Sequence, residues 1–272
     1  MVWVATSLAH PPRPPFPMPL PIVTIARHVL IEARRSGLPW LALASAIAAL
    51  GLAGFLSQVA ITEGAALQAG VAAALLRACA VFLVMAHVVS SVVREANDKG
   101  LELALSLPIS RPAWYLGKLL GYACIGALLA GLLALPLGFW AAPADLAAWA
   151  LSLAAEAAVM AAAALFFSSA LGQTVSAMTA AVGLYVLARA MPAIQAIAGG
   201  PHAADSGPTV LARWLIDALA LLLPRFEGAA SADWLLYGAP SAATLAPSLL
   251  ALALYLTLLA AAGLFDFSRR NL

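Results

Sequence analysis

The sequence predicts an all-α integral membrane protein with six transmembrane helices, an amphipathic interfacial helix before them and a short external helical insertion before the last span. Two observations predict this class. The chain is 64% hydrophobic and only 10% charged, with a mean hydropathy of +0.98, whereas globular domains carry about 25% charged residues. Its charges also leave six apolar runs, each near the roughly 20 residues that cross a bilayer. This composition excludes a soluble enzyme and a disordered chain.

Two segments precede the first predicted span. Residues 1–21 are rich in proline and are expected to form a disordered lead, in which Met18 is an alternative to Met1 as the start of translation. Residues 22–36 place apolar side chains at helical spacing, which predicts a basic amphipathic helix in the membrane interface. A plain cytosolic helix is the alternative. The polar side of this helix carries Arg27, Glu32, Arg34 and Arg35.

The charge-poor runs form a six-helix transmembrane domain over residues 37–272. The fourth and fifth runs are joined only by Gly172–Gln173–Thr174, and the uncharged stretch around this junction is too long for one span, so we expect two helices and a tight turn. An external loop over residues 198–242 contains a helix at 208–223 that is too short to cross the bilayer. The predicted spans are residues 38–61, 65–93, 113–140, 146–171, 175–197 and 243–265.

The positive charges indicate how these spans are oriented, because Lys and Arg accumulate in cytoplasmic loops. Ten of the 14 lysines and arginines fall on the side that holds both termini, and Arg77 lies within the membrane. We therefore expect both termini in the cytoplasm and the protein in the bacterial inner membrane. The three arginines assigned to the external side are Arg189, Arg213 and Arg225.

The loop between the second and third spans is the most charged part of the chain. Lys99–Gly100 separates its polar half from an apolar half that ends at Pro108. This pattern predicts a short helix along the membrane that could fill a groove on a cytosolic partner. The alternative is a solvated loop that obeys the positive-inside rule. The candidate docking residues are Arg94, Glu95, Asp98, Lys99, Gly100, Glu102, Pro108 and Arg111.

Two charged residues lie near the middle of predicted spans, where an ionisable side chain needs a partner. Arg77 lies in the second span and Glu156 in the fourth, at similar depths from the external side. We expect these two side chains to form an intramembrane pair. The pair would be a structural contact between helices or, in the alternative, a gate or substrate contact.

Glycine and tryptophan positions predict how the spans pack and how deep they lie. Gly117 and Gly121 are four residues apart in the third span and are expected to allow close helix packing. Trp149 lies near the external end of the fourth span and is expected to anchor the membrane interface.

No motif in the sequence supports catalysis. A phosphate-binding loop would end in Gly-Lys-Ser/Thr, but Leu119 follows Gly117–Lys118, and Pro112 stands where the first glycine should be. Zinc-protease and serine-hydrolase motifs do not occur in the sequence either. We therefore expect no catalytic residue, no metal site and no bound cofactor. The net charge of +2 gives no reason to expect a nucleic-acid partner.

The charged loop and the start of the third span share a pattern with a known family. An acidic segment with a central glycine leads into Leu-Ser-x-Pro-x-Ser-Arg and then Gly-Lys, and the chain ends on phenylalanines followed by Arg269–Arg270. With the preceding basic helix and six spans, residues 22–272 resemble the membrane subunits of ABC-2-type transporters. The loop residues that carry the resemblance are Glu95, Gly100, Glu102, Leu105, Ser106, Pro108, Ser110, Arg111, Gly117 and Lys118.

The resemblance implies a permease subunit of an ATP-binding-cassette exporter. Two such subunits, as a homodimer in membrane lipid, would form the translocation pathway and pair with two ATPase subunits. ATP and Mg²⁺ would bind to those separate ATPase chains. Residues 94–111 would dock on the ATPase beside the helix at 22–36, and ATP-driven closure would tilt the spans as rigid bodies.

Three alternatives stay open at this point. A haem-exporter-like permease of cytochrome c maturation shares the Gly-x-Glu pattern at Gly100–Leu101–Glu102. A secondary transporter or channel that is not driven by ATP would need more intramembrane polar residues or internal repeats. A membrane-embedded enzyme or assembly factor would need an acid–base or metal cluster.

Overall fold

The computed structural model describes residues 21–59, 64–98, 110–200 and 207–269. These residues are mostly α-helical and contain no β-strand, and a 3₁₀ helix over Leu135–Phe139 follows the fourth helix. The α-helices in these residues are α1 (Pro21–Arg35), α2 (Leu38–Val59), α3 (Gly64–Asn97), α4 (Arg111–Ala134), α5 (Pro143–Leu171), α6 (Thr174–Ala198), α7 (Gly207–Leu222), α8 (Trp234–Tyr237) and α9 (Ala242–Arg269).

Within the described ranges, six helices are long and apolar enough to cross a membrane, namely α2 to α6 and α9. This confirms the predicted all-α fold with six spans, and the protein is a multi-pass membrane protein. The second span continues as a helix beyond its predicted membrane part, since α3 extends to Asn97, four residues past residue 93. Its last turn is stabilised because Arg94 and Glu95 form ion pairs with residues of neighbouring helices.

The predicted turn between the fourth and fifth spans is present. After α5 ends, Gly172 has a φ of 67° and donates its N–H to the carbonyl of Ser168 at 3.1 Å. Glycine adopts this left-handed conformation without a clash of a Cβ atom, which is why it commonly follows the last residue of a helix. The short turn makes α5 and α6 an antiparallel hairpin.

Because the spans alternate in direction, the bundle has two ends. The charged end consists of α1, the C-terminal ends of α3 and α9, and the N-terminal end of α4. The opposite end carries α7 and α8. α5 is the central helix, since residues 159–165 are all fully buried. α9 and α2 are the least buried spans, so much of their apolar surface faces outward.

α1 packs directly on α4 at the two glycines that predicted a close contact. A Cβ atom at Gly117 would lie 2.8 Å from the Cβ of Ile25, and one at Gly121 would lie 2.7 Å from the Cβ of Val29. Real Cβ atoms do not approach so closely, so glycine is what allows this packing. The prediction of close packing is confirmed, although the partner is the N-terminal helix rather than another span.

The helix predicted at residues 208–223 is present as α7. Arg213 Nε donates to the carbonyl of Ala198 at 2.7 Å, and Gln195 donates to Asp217 at 3.0 Å. Both contacts tie α7 to the last turns of α6. The chain beyond α7 then enters the bundle, which the sequence did not predict.

Candidate functional site

Glu32 joins the N-terminal helix to the spans at the charged end. Its Oε1 accepts hydrogen bonds from Arg94 Nη2 at 2.6 Å and from Ser91 Oγ at 2.8 Å, both on α3. Ser91 Oγ in turn accepts a hydrogen bond from the hydroxyl of Tyr122 on α4 at 3.1 Å. This network connects α1, α3 and α4.

Glu32 is held in its ionised form by this network. Burial alone would raise the pKa of Glu32, but the hydrogen bond from Ser91 and the positive charges of Lys118 and Arg94 lower it below its ordinary value. An acceptor that stays charged at neutral pH strengthens the hydrogen bonds it receives. Glu32 is therefore a fixed anion between α1 and α3.

A second ion pair at the charged end is almost removed from water. Lys118 Nζ of α4 lies 2.5 Å from Glu95 Oε2 of α3, and the Lys118 side chain is only 6% exposed. The ammonium group also lies 5.7 Å from the ring centre of Trp114, whose ring stacks on Phe267 of α9 at 5.1 Å. An unpaired charge at this depth would be strongly destabilising. Glu95, predicted as a docking residue, thus stabilises the bundle itself.

The other predicted docking residues fall in two groups. Arg94 and Asp98 lie exposed at the end of α3, and Arg111 begins α4 with its Nη1 3.5 Å from the carbonyl of Ser268. These three define the described part of the predicted docking surface. The remaining four, Lys99, Gly100, Glu102 and Pro108, lie outside the described residues.

The predicted intramembrane pair of Arg77 with Glu156 is wrong, because Glu156 pairs with a different arginine. Glu156 is fully buried, and its Oε2 lies 2.8 Å from Nη2 of Arg189 on α6. Arg77 instead donates from Nη1 to the carbonyl of Ala230 at 2.9 Å. Arg189 was assigned to the external side but lies within the bundle, because α6 continues for nine residues beyond it, about 14 Å along the helix.

The two arginines bind a stretch of backbone over residues 226–230, named here the inner segment. Arg189 donates to the carbonyl of Phe226 from Nη1 at 2.7 Å and to that of Ala229 from Nη2 at 3.1 Å. Arg77 binds the next carbonyl, that of Ala230. All three carbonyl-bearing residues are buried.

α5 completes the binding of the inner segment through Ala230. The indole Nε1 of Trp149 donates to the Ala230 carbonyl at 3.1 Å, and Ser152 Oγ accepts from the Ala230 N–H at 2.9 Å. Trp149 is fully buried, so it is not the interface anchor that its position predicted. Ala230 itself has a φ of 48°, a conformation that non-glycine residues adopt only when their surroundings impose it.

These contacts explain how irregular backbone persists inside an apolar bundle. Unsatisfied N–H and C=O groups are very costly away from water, so non-helical backbone at membrane depth must be bound by protein. Here the side chains of Arg77, Arg189 and Glu156 surround the inner segment. Its carbonyl oxygens accept hydrogen bonds from the arginine N–H groups that do not bind Glu156. Tyr185 interacts with the same charged groups. The cluster is an internal clamp on the chain's own loop.

The sequence did contain a signal for the true pair. Glu156 lies 16 residues before Gly172, and Arg189 lies 16 residues after Gln173. In an antiparallel hairpin, residues equidistant from the turn lie at the same depth. Matching Glu156 across the hairpin would have identified Arg189, whereas depth alone favoured Arg77.

Potential metal ligands do not cluster in the described residues. Within them, no three His, Cys, Asp or Glu side chains come together in a group able to hold a metal ion.

A comparison with protein-family models matches residues 85–272 to the family described as ABC-2 family transporter protein. The match covers more than half of the chain. This chain belongs to the ABC-2 transporter family. A comparison with curated proteins found no match. The matched part of the ABC-2 chain runs from α3 through the inner segment to the C terminus, and it leaves α1 and α2 outside. As a family member, the ABC-2 chain is the membrane component of an ABC transporter and is not itself an enzyme.

Proposed function

We propose that the chain is the permease subunit of an ATP-binding-cassette exporter, in which it forms the translocation pathway while ATP is hydrolysed on separate chains. Membership of the ABC-2 family carries this proposal. Six spans are available to build a pathway, and the sequence has no phosphate-binding loop of its own. ATP and Mg²⁺ would therefore bind to a partner ATPase.

The charged end is the proposed docking surface for that ATPase. Arg94 and Asp98 are exposed there, next to the segment that joins α3 to α4. The Glu32 network and the Glu95–Lys118 pair connect α1, α3 and α4. Motion imposed on the joining segment would reach the spans as a rigid-body movement.

The distribution of arginine and lysine supports a cytoplasmic charged end. With Arg189 inside the bundle, ten positive residues remain on the side of the termini, against Arg213 and Arg225 on the other. Lys and Arg accumulate in short loops on the cytoplasmic side. We therefore place both termini in the cytoplasm, in a bacterial inner membrane.

The proposed assembly contains two copies of this chain and two ATPase subunits. α2, α6 and α9 leave most of their apolar surface uncovered by the rest of the chain. In a membrane, such surface is covered by lipid or by another helix. A second copy on part of this surface would enclose a pathway between the two chains.

The docking proposal is tested by reversing the charge of Asp98, which is exposed at the end of α3, together with that of Glu102, a docking residue predicted from the sequence. In a tagged chain co-expressed with its partner ATPase, Asp98→Lys with Glu102→Lys should reduce both co-purified ATPase and ATP-dependent transport at least tenfold. Reversed charges repel where complementary ones attracted. Glu95 is unsuitable for this test, because its loss would leave Lys118 buried and unpaired.

Glu227→Lys is the matched control. Glu227 lies within the inner segment, but its side chain is exposed and far from the charged end, so its reversal should leave ATPase binding and transport unchanged. Wild-type levels of both in the Asp98/Glu102 double variant would disprove docking at the charged end.

The internal clamp argues against a secondary transporter with a substrate site at the same cluster. Arg77 and Arg189 already bind the chain's own carbonyls. Transport by the isolated chain in proteoliposomes, driven by an ion gradient without ATP, would contradict the proposed function and support this alternative.

A further inference from the structure

We propose that a groove between α1, α2 and α4 binds one anionic phospholipid, with its phosphate on Arg27 and Arg34 and an acyl chain on the leucines of α4. The groove has a volume of about 410 Å³, within the roughly 300–1,000 Å³ of small-ligand sites. It lies on a face of α1 different from the one that packs on Gly117 and Gly121 and from the one that carries Glu32. The proposal requires the membrane location of the chain but not the docked ATPase.

The two arginines form the polar rim of this groove. Arg27 and Arg34 are seven residues apart, so they lie on one face of α1, about 10 Å from each other along the helix. Both are exposed, and neither forms an ion pair with a carboxylate of the described residues. Glu32, the acidic residue between them, points to Arg94 of α3 instead. The rim therefore carries two positive charges that lack a counter-ion within the described chain.

The wall of the groove is apolar and open to the side. Leu128 is 65% exposed and Leu132 is 48% exposed, although both are large hydrophobic residues. They lie seven and eleven residues beyond Gly121, where α1 packs, which is roughly 10–17 Å further along α4. The two leucines therefore extend the wall along α4 away from the charged end, in the direction that an acyl chain takes towards the bilayer centre.

The combination of rim and wall selects the occupant. An apolar wall alone accepts any lipid chain, whereas two arginines at headgroup level favour a lipid with net negative charge, since each basic residue near an anionic membrane surface contributes about 1 kcal/mol. Pro39 at the start of α2 also lines the groove, and the adjacent Trp40 is 75% exposed, as expected of an aromatic residue at the interface.

The test compares retention of phosphatidylglycerol with that of phosphatidylcholine. Full-length chain in its assembled transporter is purified in detergent, exposed to equal amounts of the two lipids and analysed by native mass spectrometry. The wild type should retain phosphatidylglycerol preferentially, and Arg27→Gln with Arg34→Gln should weaken that preference roughly thirty-fold, as expected for two lost basic contacts.

Arg35→Gln is the matched control, because Arg35 is an exposed arginine of the same helix that does not line the groove. It should keep the wild-type preference, and inorganic phosphate at millimolar concentration should not displace the lipid. Leu128→Asn should weaken retention of both lipids alike. Equal retention of the two lipids by the wild type would overturn the proposal without any variant. An equal loss of preference in Arg35→Gln would overturn it too, since charge on α1 in general would then suffice.

Discussion

Arginines within the bundle of this protein form hydrogen bonds with backbone carbonyl groups as well as with a carboxylate. Arg189 binds one carboxylate and two carbonyl oxygens, and Arg77 binds one carbonyl. Both side chains are therefore needed for the shape of the loop, although only Arg189 forms an ion pair in the described structure. This difference in partners predicts that the two arginines have unequal effects on stability.

Arg189→Gln should destabilise the fold more than Arg77→Gln. The first change breaks a buried ion pair, at a cost of roughly 3–5 kcal/mol, and also removes two hydrogen bonds. The second removes the hydrogen bond to the carbonyl of Ala230, worth about 1–2 kcal/mol, but leaves the ion pair of Arg189 with Glu156 in place. Thermal unfolding of both variants in phosphatidylcholine nanodiscs measures the order.

Glu156→Gln should resemble Arg189→Gln, because it leaves two buried cations without their anion. Glu227→Gln, which removes an exposed acid of the inner segment itself, should change the melting temperature little. If Arg77→Gln instead lowered the melting temperature most, the result would support the pair of Arg77 with Glu156 that was predicted from depth alone.

Glu32 gives the charged end a defined dependence on pH. Its pKa in the folded protein lies below the ordinary value of 4.5, so the folded state favours the ionised form. The resulting stability is fully present above the unfolded pKa and is lost as the pH falls through the folded pKa. Glu32→Gln should melt at a lower temperature than the wild type at pH 7, by an amount that shrinks below pH 4.5. Unfolding curves between pH 7 and pH 3 provide the measurement, and a constant difference would exclude Glu32 as the cause.

At the scale of elements, α1 is held on the bundle both by close packing on two glycines of α4 and by the ion pair of Glu32 with Arg94. Gly117 and Gly121 let α1 approach α4 until Ile25 and Val29 occupy the space where a Cβ atom would lie. This contact and the Glu32 network fix two different faces of α1. The third face is left to line the lipid groove.

Gly121→Ala should destabilise the protein by roughly 1–3 kcal/mol through overpacking, and Val29→Ala should partly restore stability in the double variant. Gly131→Ala is the control on the same helix, where an added Cβ meets nothing within 4 Å. It should be neutral or stabilising by about 0.5–1 kcal/mol, since alanine favours helix more than glycine does. Equal effects of the two glycine variants in thermal unfolding would contradict the packing argument.

The inner segment is an element without regular structure, and its anchors are testable one at a time. Ser152→Ala should leave the buried N–H of Ala230 without an acceptor, at a cost of about 1–3 kcal/mol. Hydrogen exchange at residues 226–230 should increase accordingly. Ser168→Ala is the control, because its hydroxyl binds only the carbonyl of Ala164 in its own helix. Unchanged exchange in Ser152→Ala would show that the clamp does not depend on α5.

For the whole molecule, the spans were predictable and the inner segment was not. Charge-poor runs mark the spans because a bilayer excludes charge, and a turn was evident at Gly172 because a longer helix would not fit. Residues 226–230 carry no such signal. Their burial depends on arginines more than 30 residues away in the chain, and the sequence does not show that contact. Lys118 was missed as a buried residue for the same reason, since its partner Glu95 lies on another helix.

The orientation of the whole molecule can be tested with single cysteines. In a chain with Cys79→Ser and Cys124→Ser, a cysteine introduced by Asp233→Cys, directly before α8, should react with a membrane-impermeant maleimide added outside the cell. A cysteine introduced by Asp98→Cys should react only after the membrane is opened. Both positions are exposed at opposite ends of the bundle. The reverse labelling pattern would invert the proposed topology.

The α5–α6 hairpin also bears on how the protein is made. A charged residue at the centre of a lone span costs roughly 2.5–3.5 kcal/mol on insertion, and Glu156 and Arg189 lie on consecutive helices that leave the ribosome one after the other. Their pairing favours insertion of the hairpin as a single unit. Arg77 and Arg189 cannot bind the carbonyl groups of residues 226–230 until that stretch has been translated. The order of synthesis thus makes docking of the loop a late step in biogenesis, after α2 to α6 have been translated and before α9.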